Sequence, residues 1–72
     1  MKKAIGLLTL YDELKSEEGV RKENFMNETG ISLSSFRRYL RNVSDYLLPR
    51  GYFVRYNRKT AVYRVIARVK AD

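Results

Sequence analysis

Residues 30–49 constrain the fold of this 72-residue chain more than any other segment. Five apolar side chains follow a glycine at spacings of 3, 4, 3 and 4 residues, which places them on one face of an α-helix. Ser32 can accept a hydrogen bond from an early backbone N–H of that helix, and Pro49 cannot continue it. The pattern predicts a helix over residues 33–48 with this buried face: Leu33, Phe36, Leu40, Val43 and Leu47.

The opposite side of the predicted helix is polar and basic. Arg38, Arg41 and Asp45 continue a spacing of 4, 3 and 4 residues that begins at Ser34, and Arg37 lies at the margin. The surface of a small domain would then carry a rigid cationic helix. An alternative use of Arg41 is a pair with Asp45 within the helix, worth about 0.2–0.5 kcal/mol.

The charge of the chain is divided unevenly. Residues 1–30 contain 5 Lys and Arg against 6 Asp and Glu, which gives −1, whereas residues 31–72 contain 10 against 2, which gives +8; the sum is the net charge of +7. Such a division favours a polyanionic partner for the second part of the chain. A solvated basic surface without a partner is the alternative, because charge alone does not define a function.

Two shorter helices are predicted before the basic one. Helical spacing runs over residues 4–17, and Gly19 can end that helix in a left-handed conformation. A second helix over residues 22–29 has Phe25 and Met26 inward, followed by the glycine turn at residue 30. The broad apolar stripe of the first helix consists of Ala4, Leu7, Leu8, Leu10, Tyr11 and Leu14, with Ile5 outside it.

The period changes from helical to alternating at Tyr52. Two runs rich in β-branched and aromatic residues are separated by a polar turn over residues 57–60, with the second run beginning at Ala61, which predicts a β-hairpin over residues 52–66. Val20 and Arg21 are expected to form a short extended link, and residues 67–72 a tail. The predicted fold is α+β, mainly α: three helices followed by a two-stranded hairpin, in a single domain over residues 1–72.

The composition excludes several classes of function. The chain has no cysteine and no histidine, so the usual zinc sites and Ser-His or Cys-His nucleophile systems cannot form. Neighbouring acids such as Asp12 and Glu13 are better explained as exposed helix charges. We expect no enzymatic activity, no metal and no cofactor. The apolar run over residues 4–11 is too short for a signal peptide or a membrane span, so we expect a cytoplasmic protein.

The chain resembles the winged helix-turn-helix domain of the DeoR-type and WYL-domain bacterial transcription regulators. The similarity covers residues 4–66, and its most specific part is the Gly-Ile-Ser stretch followed by Phe-Arg-Arg. Tyr63, Arg64 and Val65 resemble the last strand of that family's hairpin. The other matching positions are Val20, Glu23, Phe25, Met26, Gly30, Ile31, Ser32, Ser35, Phe36, Arg37, Arg38, Leu40 and Val43.

The resemblance implies sequence-specific binding to double-stranded DNA, with residues 33–48 in the major groove and a wing over residues 55–64 on the phosphate backbone. The implied base contacts are Ser34, Ser35 and Arg38. The implied phosphate contacts are Arg37, Arg41, Arg55, Arg58, Lys59 and Arg64. It also implies a nucleoid-associated protein that forms a homodimer, which Ile5 could seed, and an effector domain that is missing if the chain is an excised fragment.

Two other functions stay open from the sequence. A winged-helix module can instead bind a protein partner through its hairpin or first helix, although it would not need so basic a surface. Binding of RNA is a third function, but the aromatic and basic motifs of the common RNA-binding modules are absent. The tyrosines could stack on single-stranded bases; we expect all of them except Tyr56 to belong to the core.

Overall fold

The computed structural model describes residues 3–67 as three helices and a small antiparallel sheet. All three predicted helices are present, and α1 ends two residues earlier than the pattern indicated. The fold is α+β and mainly helical. The elements are α1 (Lys3–Lys15), β1 (Val20–Arg21), α2 (Lys22–Thr29), α3 (Leu33–Leu47), a 3₁₀ turn (Leu48–Arg50), β2 (Tyr52–Asn57) and β3 (Val62–Ala67).

The predicted hairpin is present as β2 and β3, but the sheet also contains β1, so the prediction of two strands was incomplete. Its strand order is β1-β3-β2, with Val20 opposite Tyr63 and Arg21 opposite Val62. A two-residue strand is too short to show an alternating pattern in the sequence. The approach of β1 to β3 depends on Gly19, because a Cβ atom there would lie 2.5 Å from the carbonyl oxygen of Tyr63.

The turn of the hairpin lies one residue later than predicted, over residues 58–61, because Asn57 is the last residue of β2. The side chain of Asn57 accepts hydrogen bonds from the backbone N–H of Lys59 and of Thr60. Ala61 belongs to the turn because it has a left-handed φ of 57°, so β3 begins at Val62. Ala67, which was assigned to the tail, is the last residue of β3, and residues 68–72 of that tail lie outside the described part of the chain.

The core lies between the helices and the inner face of the sheet. The rings of Phe25 and Phe36 are 5.8 Å apart, and Phe36 also meets Tyr63 at 5.7 Å. The predicted face of α3 is buried at its centre, with Leu33 and Leu40 half-buried at its edges. The buried apolar residues are Leu10, Leu14, Val20, Phe25, Phe36, Tyr39, Val43, Leu47 and Val62.

The apolar stripe predicted for α1 is narrower in the structure. Leu10 and Leu14 are buried and Leu7 is half-buried, but Ala4 and Leu8 are exposed. The reason is geometric: successive residues turn by about 100° around a helix, so Leu8 leaves the side that packs on α3. The broad stripe was therefore correct for its centre and wrong for its margins.

Backbone caps set the turn between α2 and α3. Gly30 has a φ of 72°, and its N–H donates to the carbonyl of Met26. Ser32 then accepts a hydrogen bond from the N–H of Ser35, as predicted. Within residues 3–67, no helix is long and apolar enough to cross a membrane.

Candidate nucleic-acid interface

The outward side of α3 is polar and cationic. Ser34, Arg37, Arg38 and Arg41 are all exposed, on the side of the helix away from buried Phe36. Their positions follow from the helical repeat: when the apolar side chains of α3 face the core, the arginines between them face outward. Arginine side chains in this position can form bidentate hydrogen bonds to guanine or bind phosphate oxygens.

The arginines of α3 keep their charge free for a partner. Arg41 and Asp45 lie one helical turn apart and both are exposed, yet they form no ion pair. Among residues 3–67, no Lys or Arg side chain forms an ion pair with an Asp or Glu side chain of the same residues. The ion pair between Arg41 and Asp45, which the sequence offered as an alternative to DNA contact by Arg41, is therefore not part of the structure.

Three serines occupy the start of α3. The hydroxyl of Ser32 caps the helix and also lies 3.2 Å from the hydroxyl of Ser34 and 3.1 Å from that of Ser35. Ser34 is exposed, whereas Ser35 is half-buried and turned about 100° from it around the helix. Short side chains here allow a close approach of the backbone to base edges, and Ser34 is the better placed of the two predicted base contacts.

A shallow cleft lies between α3 and the hairpin and has a volume of about 280 Å³. It brings Arg37 and Arg41 beside the inner face of β2 and β3. Its floor is aromatic and apolar, and its rim is cationic. We call it the α3 cleft, and its lining residues are Arg37, Leu40, Arg41, Ser44, Val54, Tyr56 and Tyr63.

The predicted wing cations are divided between two places. Arg55 lies opposite Arg64 in the sheet, next to the pair of Val54 and Val65. Adjacent pairs alternate between the faces of a sheet, and this valine pair packs on the core, so Arg55 and Arg64 lie on the outer face. The structure therefore does not bring them together with the arginines of α3. Arg58 and Lys59 are exposed in the turn at the end of the hairpin.

A second cleft, of about 230 Å³, lies between the start of α2 and the hairpin. Its cations, Arg21 and Lys22, were not among the predicted contacts. Arg21 stands at the N-cap position of α2, where Ser, Thr, Asp or Asn is preferred, and its side chain makes no capping hydrogen bond. We call it the α2 cleft, and its lining residues are Arg21, Lys22, Glu23, Asn24, Tyr56, Ala61 and Tyr63.

The tyrosines differ in burial more than predicted. Tyr39 is buried, and Tyr11 and Tyr63 are half-buried against the core. Tyr46 and Tyr52 are exposed, which contradicts their assignment to the core. Tyr46 is exposed because it lies at the edge of the buried face of α3. Tyr52 is exposed because it is the first residue of β2, at the end of the strand far from the hairpin turn.

Exposed Tyr46 holds one of the basic residues in a structural role. The guanidinium of Arg50 lies 3.8 Å from the centre of the Tyr46 ring, and its Nη1 donates a hydrogen bond to the Tyr46 carbonyl at 2.8 Å. A cation at the carboxyl end of a helix interacts favourably with the helix dipole. Arg50 is therefore a cap of α3 and is distinct from the cations around the two clefts.

An apolar groove separates α1 from α3 on the other flank of that helix, with a volume of about 400 Å³. None of its lining side chains is charged. Leu8, which lines the groove, is 64% exposed, and Ile5 on the same helix is 53% exposed. The lining residues are Leu7, Leu8, Tyr11, Asn42, Val43 and Tyr46.

The residues for a metal site are not assembled in the described chain. Within residues 3–67, no group of three or more His, Cys, Asp or Glu side chains could hold a metal ion. Asp45 lies on the surface of α3, and Glu23 lines the α2 cleft. The chemistry that this surface offers is cationic and aromatic binding.

No protein-family model, no curated protein and no solved structure matches the chain. The similarity to the regulator domains therefore rests on the motif residues themselves, such as Gly30, Ser32 and Arg38. The arrangement of the elements agrees with it in outline, with a glycine turn between two helices and a hairpin beside the second.

Proposed function

We propose that this chain is a sequence-specific double-stranded DNA-binding module of a transcription regulator, with a winged helix-turn-helix architecture. The observation that carries the proposal is the exposed, unpaired row of arginines on α3, which adjoins the cationic α3 cleft beside the hairpin. In this proposal α3 lies in the major groove of DNA, because that groove is about 12 Å wide and admits a helix.

The residues divide into two roles. Ser34 and Arg38 contact base edges, with Ser35 at the margin of that contact. Arg37 and Arg41 bind phosphates next to the groove, and the cations of the hairpin turn, Arg58 and Lys59, bind phosphates farther along the backbone. Arg55 and Arg64 lie on the outer face of the sheet and contribute to attraction at longer range.

Selection of bound sites from a random duplex library tests the proposal directly. We expect a preferred sequence to emerge for the wild-type chain. Arg38→Ala should then weaken binding to that sequence by about 1–3 kcal/mol and relax the preference at one position. A uniform loss over all sequences would assign Arg38 to the backbone, and failure to enrich any site would contradict sequence-specific binding.

The apolar groove favours a second property, the formation of a homodimer. Two copies with a net charge of +7 repel each other, and this repulsion is smallest where the facing surfaces carry no charge. The groove between α1 and α3 is such a surface, and it lies on the flank of α3 that carries Asn42 and Tyr46. A second copy bound there would leave the outward arginines of α3 free for DNA.

Sedimentation of the wild type and of Leu8→Ser tests the homodimer. The wild type should associate at high protein concentration, and Leu8→Ser should remain monomeric, while Ala4→Ser, an exposed position on α1 outside the groove lining, should behave as the wild type. A monomeric wild type would exclude this contact. Binding of a different protein in the groove, without DNA binding, would favour the protein-interaction alternative.

A further inference from the structure

We infer that Tyr56 is a DNA-contacting residue whose ring packs against a sugar of the backbone strand that passes between the two clefts. The inference rests on the proposed function and extends it to a residue outside the arginine row. Tyr56 and Tyr63 line both the α2 cleft and the α3 cleft. The two clefts therefore meet at this pair of rings.

Tyr56 is exposed but held in place. Its ring lies 4.7 Å from that of Tyr63, and Tyr63 in turn packs 5.7 Å from Phe36, which is fully buried. This stack connects an exposed side chain to the core. Binding a partner then costs little side-chain entropy, because the ring is already restricted before the partner arrives.

Cations lie on both sides of the ring. Arg21 and Lys22 line the cleft on the side of α2, and Arg37 and Arg41 line the cleft on the side of α3. A nucleic-acid backbone alternates charged phosphates with uncharged sugars. The arrangement of two cations, an aromatic ring and two more cations matches that alternation, with the single carboxylate of Glu23 at one margin.

The same strand provides a matched control. Tyr52 lies four residues before Tyr56, on the same face of β2, and the two are exposed to similar extents, 44% and 47%. Tyr52 lines neither of the two clefts. A general effect of removing an exposed tyrosine from this strand would affect both positions equally.

The experiment measures binding of a labelled duplex by fluorescence anisotropy over a series of salt concentrations. Tyr56→Ala should raise Kd about tenfold, while Tyr56→Phe, which keeps the ring, and Tyr52→Ala should stay within about twofold of the wild type. The salt dependence should be unchanged in Tyr56→Ala, since no charge is lost. In Arg37→Ala the magnitude of the slope of log K against log salt should decrease by about 1.

Thermal unfolding of each variant verifies the fold, and Tyr56→Thr supplies a second ring-free variant with a strand-forming side chain. Equal affinities of Tyr56→Ala and Tyr52→Ala for a duplex that the wild type binds would overturn this inference alone. If Tyr56→Ala lost binding to single-stranded DNA but kept its affinity for the duplex, the inference would be overturned, and Tyr56 would instead stack on unpaired bases. A wild type that binds no duplex would overturn the proposed function and this inference together.

Discussion

Gly19 and Gly30 have nearly the same backbone conformation but different surroundings. Their φ angles are 71° and 72°, so an alanine at either position is strained. A Cβ atom at Gly30 meets nothing within 4 Å, whereas one at Gly19 would meet the Tyr63 carbonyl oxygen and Cγ1 of Val62. Because the carbonyl belongs to the sheet backbone, it cannot move aside without disturbing the pairing of β1 with β3.

Replacing each glycine by alanine should separate the cost of the left-handed backbone from the cost of a steric clash with the added Cβ atom. Gly30→Ala should lower the free energy of unfolding by about 1 kcal/mol, the cost of the left-handed conformation. Gly19→Ala should lower it by about 3 kcal/mol, since overpacking adds to the same strain. Urea unfolding measures both values, and equal losses in the two variants would mean that β1 is not held against β3 as described.

Glu13 is a second residue whose environment predicts a measurable effect. Burial, and then the nearby carboxylate of Glu28, raise the pKa of Glu13 above its ordinary value. Its Oε2 is buried and accepts no hydrogen bond. The charged form is therefore less favourable in the folded state than in the unfolded state.

The sign of the pH effect follows from the raised pKa. The contribution of Glu13 to stability is complete below its unfolded pKa and is lost as the pH rises through the folded value. Glu13→Gln should therefore be more stable than the wild type at pH 7, and the difference should vanish below about pH 4. Chemical unfolding from pH 4 to pH 7 measures it, and a variant that is less stable at neutral pH would contradict the account.

At the scale of elements, the start of α2 combines a weak cap with a proposed binding role. Arg21 occupies the N-cap position without a capping hydrogen bond, although serine at such a position satisfies an early N–H. Arg21→Ser should raise the free energy of unfolding by about 0.5–1 kcal/mol. The same change should weaken duplex binding, because it removes a cation from the α2 cleft.

The control for this position is Arg21→Ala, which removes the cation without supplying a cap. It should weaken duplex binding as much as serine does, with no gain in stability. Unfolding and anisotropy measurements on both variants separate the two effects. Unchanged affinity in both variants would remove Arg21 from the interface.

The elements also show which parts of the fold follow from local sequence. The helix α3 was predictable because its apolar spacing, its serine cap and Pro49 all indicate the same segment. Burial of Tyr39 was predictable too, since it lies three residues after Phe36 and four before Val43. Strand β1 was not, because Val20 and Arg21 become a strand only through pairing with β3.

The candidate site was predictable in part for the same reason. The helical repeat places Arg37, Arg38 and Arg41 outward without reference to the rest of the chain. The separation of Arg55 and Arg64 from them depends on the register of β2 with β3 and on the position of α3 against the sheet. The α2 cleft required the third strand, which the sequence did not reveal.

For the whole molecule, the distribution of charge over the fold is the main feature. The described chain has principal extents of 43 × 27 × 19 Å, and α3 and the hairpin turn both carry exposed arginines. Most of the exposed arginines belong to the basic second part of the chain, whereas the apolar groove is lined by α1 and by the other flank of α3. In the proposed function, this separation allows a duplex and a second copy of the chain to bind without competing.

The central claim is that a duplex lies against α3 and not against the outer face of the sheet, and the salt dependence of duplex binding tests it most directly. For the wild type we expect a slope of log K against log salt of about −5 to −6. Replacing Arg37 and Arg41 together by alanine should reduce its magnitude by about 2, and replacing Arg55 and Arg64 together by less than about 1. A larger change for Arg55 and Arg64, or a wild-type slope near zero, would contradict the account.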